Sequence, residues 1–222
     1  MTAHLENALD RLRVHVVELA TSAEEQVRAA ITAQAQRDKA LAAKVIANDT
    51  EIDKKEVEIE EECLQVLALY QPVANDLRLV VSILKINNEL ERVGDYAVTI
   101  SERCLYLADH ELPGTPIDYQ AMADRAIDML HRSIEAMINK NSGLAREVCR
   151  ADLEVDRIHH DNYMAVDEMV QKFPVYARFF MQYVSISRCL ERIADQATNI
   201  AEDVIYLVEG RIVRHDASTR GF

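Results

Sequence analysis

One pentapeptide occurs twice in this chain, a hundred residues apart. Glu91-Arg92-Val93-Gly94-Asp95 returns as Glu191-Arg192-Ile193-Ala194-Asp195, with Glu102 and Glu202 following at the same distance. The register extends without a gap: Arg78, Ile86, Leu90, Ala97, Ile100, Tyr106 and Leu107 meet identical residues at 178, 186, 190, 197, 200, 206 and 207. Upstream, Asp49-Thr50-Glu51-Ile52-Asp53 is answered by Asp152-Leu153-Glu154-Val155-Asp156 at an offset of 103, and Val27 and Ile31 by Leu130 and Ile134. An internal period of this kind marks a repeated structural unit, so the fold must be built from two copies of one three-segment element.

The segments read as helices. With five Gly and four Pro among 222 residues there is little turn material, and the 49% of hydrophobic residues suffice for a substantial core. Leu79, Ile83, Ile86, Leu90, Val93, Ala97, Ile100 and Cys104 recur at three- and four-residue steps, the period of an amphipathic helix, and Tyr183, Ile186, Leu190, Ile193, Ala197, Ile200 and Val204 repeat it. Breaks at Gln36-Arg37-Asp38, Pro72, Leu112-Pro113-Gly114-Thr115-Pro116, Asn141-Ser142-Gly143 and Pro174 predict six helices over about 3–35, 38–70, 74–109, 117–140, 143–172 and 175–209. Asp38 and Ser142 are the expected N-caps. Long helices with short connections pack antiparallel, which predicts an all-α protein of two tandem, pseudo-symmetric three-helix bundles. The first spans 1–111 and the second 117–210, with a flexible tail over 211–222.

Composition narrows the function. A formal net charge of −13 excludes nucleic acid as an expected partner, since phosphate binding needs a cationic footprint. No apolar run approaches the roughly 20 residues that cross a bilayer, and the first residues do not resemble a signal peptide, so a soluble cytoplasmic protein is expected. Cys63, Cys104, Cys149 and Cys189 have no C-x-x-C spacing and read as buried apolar residues.

The chemistry lies in the repeated acids. Glu91, Asp95 and Glu102 fall within about 40 degrees of one another around a helix, and Asp49, Asp53 and Glu60 repeat the spacing. Leu84 and Val98 share the sector of the third-helix column, while Arg78, Lys85, Glu89, Arg92 and Arg103 form a polar side expected to turn away. If the second and third helices are neighbours, an Asp-x-x-x-Asp pair meets a Glu-x-x-x-Asp pair. Crowded carboxylates are relieved by protonation, by basic residues such as Arg92 and Arg192, or by a cation such as magnesium, manganese, calcium or iron. An ion-pair network is the competing reading. His159 and His160 after Asp156, and Asp128 three before His131, resemble the E-x-x-H pairs of di-iron carboxylate bundles, but the histidines have no partners in the first half and His159 and His160 read as surface residues. No phosphate loop, nucleophile elbow or H-E-x-x-H is present.

Two tandem three-helix units, each with an Asp-x-x-x-Asp helix and a Glu-Arg-(Val/Ile)-(Gly/Ala)-Asp helix, resemble the PhoU family of phosphate-signalling regulators, as do Asn75-Asp76-Leu77-Arg78 and the run from Cys189 to Glu202. The resemblance covers nearly the whole chain. It implies a non-enzymatic cytoplasmic adaptor, a negative regulator of the phosphate-starvation response. Such an adaptor links the ATPase of a phosphate-specific ABC transporter to a sensor histidine kinase, and reaches the membrane only through these partners. It further implies metal ions (iron, zinc, manganese or magnesium) in multinuclear clusters, and a homodimer or larger assembly. Carried over, the ligands are Asp49, Asp53, Glu91 and Asp95 in one cluster and Asp152, Asp156, Glu191 and Asp195 in the other, with Glu102 and Glu202 as additions. Thr99 against Asn199 and Ser101 against Ala201 predict that the two sites differ. The alternatives are a carboxylate-bridged metalloenzyme, oxidase or hydrolase, on the same bundle, and a metal-free helical scaffold.

Overall fold

Six long helices and one short 3-10 turn account for the secondary structure of the computed structural model, which describes residues 3–111, 114, 117 and 119–213. They are α1 (Ala3–Gln36), α2 (Lys39–Tyr70), α3 (Ala74–Ala108), α4 (Tyr119–Ile138), α5 (Ser142–Lys172) and α6 (Ala177–Glu209), with the 3-10 turn Pro174–Tyr176 leading into α6. No strand occurs among the described residues. The helices are the six read from the sequence. Leu112, Pro113, Thr115 and Pro116 of the expected central break, and the tail from residue 214 onward, lie outside the described residues. Val213 is buried in the core, so the chain stays docked past the end of α6.

The repeat is visible at the helix ends. Arg37 and Lys140, 103 apart, both close a helix with positive φ (54° and 49°). In each case the next N–H reaches back to the carbonyl five residues earlier, Asp38 to Ala33 and Asn141 to Ala136, both at 2.9 Å. This is a Schellman-type stop made without glycine. Asp38 then caps α2 by accepting from the Ala40 and Leu41 amides. The cap of α5 is Asn141, which accepts from the Leu144 amide; Ser142 lies already inside the first turn, one residue later than a cap must be.

Within each half the helices pack pairwise, α1–α2–α3 and α4–α5–α6, and the halves join through α3 against α6 and α1 against α4. The cores are not separate: one continuous cluster runs from Leu12 and Leu19 through Ile83 and Leu90 to Leu130, Phe180, Leu190 and Ile200. The junction corrects one expectation. The polar side of α3 is not turned away but is the surface that receives α6. Lys85 Nζ lies 2.9 Å from Asp203 Oδ1, Asn199 Nδ2 donates to Glu89 Oε2 at 3.3 Å, and Arg103 Nε donates to Ser185 Oγ at 3.4 Å. As the α3 number rises the α6 number falls, so the two helices run antiparallel. Lys85–Asp203 and Ser185–Arg103 are the same repeat positions with the halves exchanged. A pseudo-twofold axis therefore passes through the crossing, and only the salt-bridged member of that pair has kept both charges.

Candidate metal-binding site

Four of the predicted acids meet where α2 lies against α3. Asp49 feels the charges of Asp53 and Asp95, Asp95 that of Asp53, and Glu91 those of Asp95, Asp53 and Asp49. Partial burial first, and this mutual repulsion second, push the Asp49 carboxyl up to about 6 and raise Glu91 and Asp95 above their ordinary values. Gly94 stands at this approach. A Cβ there would come 3.1 Å from Asp49 Oδ1 and 3.2 Å from Ile52 Cδ1, so any larger residue would oblige these side chains to give by a few tenths of an ångström. Gln26 of α1, itself buried, donates from Nε2 to Asp49 Oδ1 at 3.0 Å and fixes that carboxylate.

The second half repeats the arrangement between α5 and α6. Burial raises Glu191, Asp195 and Asp156 add to the rise, and Arg192 and Arg188 oppose it. Asp152 is buried, while Asp156 is exposed and Asp195 half-buried. Here an arginine takes part directly. Arg192 Nη1 donates to Asp195 Oδ2 at 3.0 Å and its Nε stands 3.6 Å from Glu191 Oε2. In the first half Arg92 eases Asp95 electrostatically.

Not every predicted residue joins equally. Glu102 lies about 10 Å along α3 from Asp95 by helical rise and is solvent-exposed, whereas its counterpart Glu202 is only 4% exposed. The expected source of difference between the halves is also misplaced. Asn199 points across the junction to Glu89, and Ser101 is buried, returning its hydroxyl to the Ala97 carbonyl. Sequence reasoning missed Glu56, whose charge raises Glu91, and Gln26, which lies outside both acidic motifs. The spacing Asp53–Glu56, one turn along the same face, was the available signal for Glu56. His159 is half-buried and hydrogen-bonded to Ser187 rather than a plain surface residue; His160 is exposed.

The donor chemistry fits a cation. Each half offers carboxylate oxygens from the repeated motifs; burial and repulsion raise Asp49, Glu91 and Asp95 in the first and Glu191 in the second, whose Oε2 is buried and accepts no hydrogen bond. Among the described residues no three His, Cys, Asp or Glu side chains already converge to metal-ligand distances. Occupation therefore requires rotation of Asp53, Asp95 and Asp156, which their exposure permits.

Fold and site together define a class: an all-α protein of two tandem three-helix units, each holding a carboxylate cluster in the seam between its second and third helices. Comparison with known proteins places it more narrowly. The model of the PhoU domain matches residues 16–104 and again 119–204, and the chain belongs to the PhoU family. It is 35% identical over 208 residues to a phosphate-specific transport system accessory protein PhoU homolog of Pseudomonas putida, covering 93% of this chain and 81% of that protein. It is 36% identical to the homolog of Aquifex aeolicus, covering 93% and 94%. The crystal structure of PhoU from Pseudomonas aeruginosa superposes with a TM-score of 0.88 at 33% identity, over 93% of this chain and 99% of that one. That of the phosphate transport system regulatory protein PhoU from Streptococcus pneumoniae gives 0.83 at 27%, over 94% and 99%.

Proposed function

We propose that this protein is a cytoplasmic, metal-binding regulator of phosphate uptake and signalling. In this reading it represses the phosphate-starvation response by linking the ATPase subunit of a phosphate-specific ABC transporter to a phosphate-sensing histidine kinase, and it works as a homodimer without catalysing a reaction. Membership of a family whose relatives are named as accessory proteins of phosphate-specific transport supports the transport role. Among the described residues no helix is long and apolar enough to cross a membrane, which agrees with attachment through partners.

The observation that carries the metal-binding part is the grouping of Asp49, Asp53, Glu91 and Asp95 at the seam beside Gly94, where burial and mutual repulsion raise the Asp49, Glu91 and Asp95 carboxyls. Bound cations would relieve the remaining repulsion, held by Asp49, Asp53, Glu91 and Asp95 in the first half and by Asp152, Asp156, Glu191 and Asp195 in the second. Glu102 and Glu202 stand at the margin. The chain's own residues set the geometry: Gln26 orients Asp49, and Arg192 orients Asp195.

The test is affinity capture from phosphate-replete cells, together with deletion of the gene. Recovery of transporter and kinase, and expression of starvation genes in rich phosphate on deletion, are the expected results. Repression intact without the protein would defeat the regulatory reading. The metalloenzyme alternative requires turnover that disappears in Asp95→Ala or Asp195→Ala, and the scaffold alternative requires no bound ion and no change of stability on chelation.

A further inference from the structure

The two carboxylate clusters differ one turn past their aspartates. Repeat alignment sets Glu56 against His159 at the 103 offset and Asn87 against Ser187 at the 100 offset. In the first half Asn87 Nδ2 donates to the Glu56 carbonyl at 2.9 Å and to its Oε1 at 3.0 Å, and the Glu56 charge acts on Glu91. A fifth oxygen donor thus adjoins an all-oxygen set.

In the second half the place is taken by an imidazole on a buried polar anchor. His159 Nδ1 lies 2.9 Å from Ser187 Oγ, and Asn162 Nδ2 donates to the same oxygen at 3.0 Å. Ser187, fully buried, directs its hydroxyl to Met122 Sδ at 3.5 Å. Asn162 takes one lone pair of that oxygen, and His159 Nδ1 meets the hydroxyl from the other side. In either tautomer Nδ1 is engaged by Ser187 and Nε2 is the ring nitrogen left to meet an ion; with the ring proton on Nδ1, Nε2 carries the lone pair. A ring whose N–H is fixed on an oxygen and whose other nitrogen is a bare donor is the arrangement that metal-binding histidines adopt. His159 follows Asp156 by three residues and Ser187 precedes Glu191 by four, so both stand on the cluster's own helix faces, with Arg188, Asp156 and His160 as neighbours.

The geometry points to two chemically unequal ion sites: an all-oxygen first half suited to a hard divalent cation, and a second half in which the His159 imidazole joins the carboxylates and favours a borderline transition ion such as zinc or iron(II). This rests on the metal-binding reading above.

The experiment uses the full chain stripped of metal, titrated calorimetrically with zinc and with magnesium, and nitrogen-15 NMR of the histidine rings during zinc addition. The expected result is one tight class of zinc sites whose filling moves the His159 ring signals. His159→Glu should weaken that class about 10- to 100-fold, and Glu56→His should create a second, with helicity by circular dichroism unchanged in both. Ring signals of His159 that stay in place as zinc binds would overturn the inequality, as would zinc affinity within twofold of wild type in His159→Glu. If in either case Asp156→Asn with Glu191→Gln still abolishes zinc binding, the metal-binding reading stands. Binding of neither zinc nor magnesium by the wild-type chain would overturn both readings at once.

Discussion

Asp49 and Gly94 show how much one residue decides here. The folded Asp49 carboxyl titrates near 6 against an ordinary 3.8. The fold therefore holds its proton more tightly than the unfolded chain, and its stability falls as pH rises from about 4 to 6 and stays reduced above. Much of the group is exposed, so solvent screening leaves about 1 kcal/mol of this effect. Metal-free protein should melt at a higher temperature at pH 5 than at pH 8, and Asp49→Asn, which keeps an acceptor for Gln26, should shrink that difference in paired thermal melts. Gly94→Ala gains helix propensity of about 1 kcal/mol. It also places a methyl group 3.1–3.3 Å from Asp49 and the buried Ile52, and overpacking of this kind costs about 1–3 kcal/mol. A net loss of about 1 kcal/mol in urea unfolding is expected. A gain would mean that α2 yields easily. The second copy carries a buried alanine, Ala194, at the matching position.

Between elements, the junction of α3 with α6 and the paired helix stops carry the consequences of duplication. Asp203 is 4% exposed, and Lys85 is its ion-pair partner at 2.9 Å. Lys85→Met removes the ion-pair partner of that buried carboxylate and should cost about 2–3 kcal/mol, near the lower end for a buried pair because the lysine reaches solvent, whereas Lys85→Met with Asp203→Leu should recover most of the loss. Urea unfolding in a double-mutant cycle measures it. The helix stops differ in the same instructive way. Lys140 occupies the left-handed region with a side chain, so Lys140→Gly should stabilise by about 0.5 kcal/mol once the added freedom of the unfolded chain is subtracted. Arg37 has the same backbone strain but donates to the Leu107 and His110 carbonyls, tying α1 to the end of α3. Arg37→Gly should therefore destabilise, and thermal melts of the two variants should move in opposite directions.

At the scale of the whole molecule, like charges are held together by hydrophobic packing that gains nothing from their proximity. The continuous core pins α2 to α3 and α5 to α6, so the backbone segments that carry these carboxylates cannot move apart and only side-chain rotation can ease the crowding. Chelation of a loaded protein should lower its melting temperature, and Asp53→Asn with Asp95→Asn should partly restore it in the metal-free state by halving the charge at the first seam. If the double variant is the less stable one after chelation, crowding at that seam is not a source of strain.

The six helices were legible because each carries an apolar stripe at helical period and ends at a glycine, a proline or a short polar turn, all local signals. The twin acidic clusters were legible because duplication supplied an internal comparison: Glu91 with Asp95 and Glu191 with Asp195 stayed while the residues around them drifted. The partners of those acids from outside the motifs were not. Gln26 belongs to a different helix, and the roles of Lys85, Glu89 and Arg103 depend on a second helix whose docking face no periodicity announces. His159 looked like a surface histidine because its anchor, Ser187, lies 28 residues away. The sequence alone thus determined the elements, their pairing within each half and the chemistry repeated in both. The tertiary structure decided how the halves lock together, which acids are buried and where the two clusters cease to be alike, because burial and charge pairing are set by contacts between helices and not by order along one.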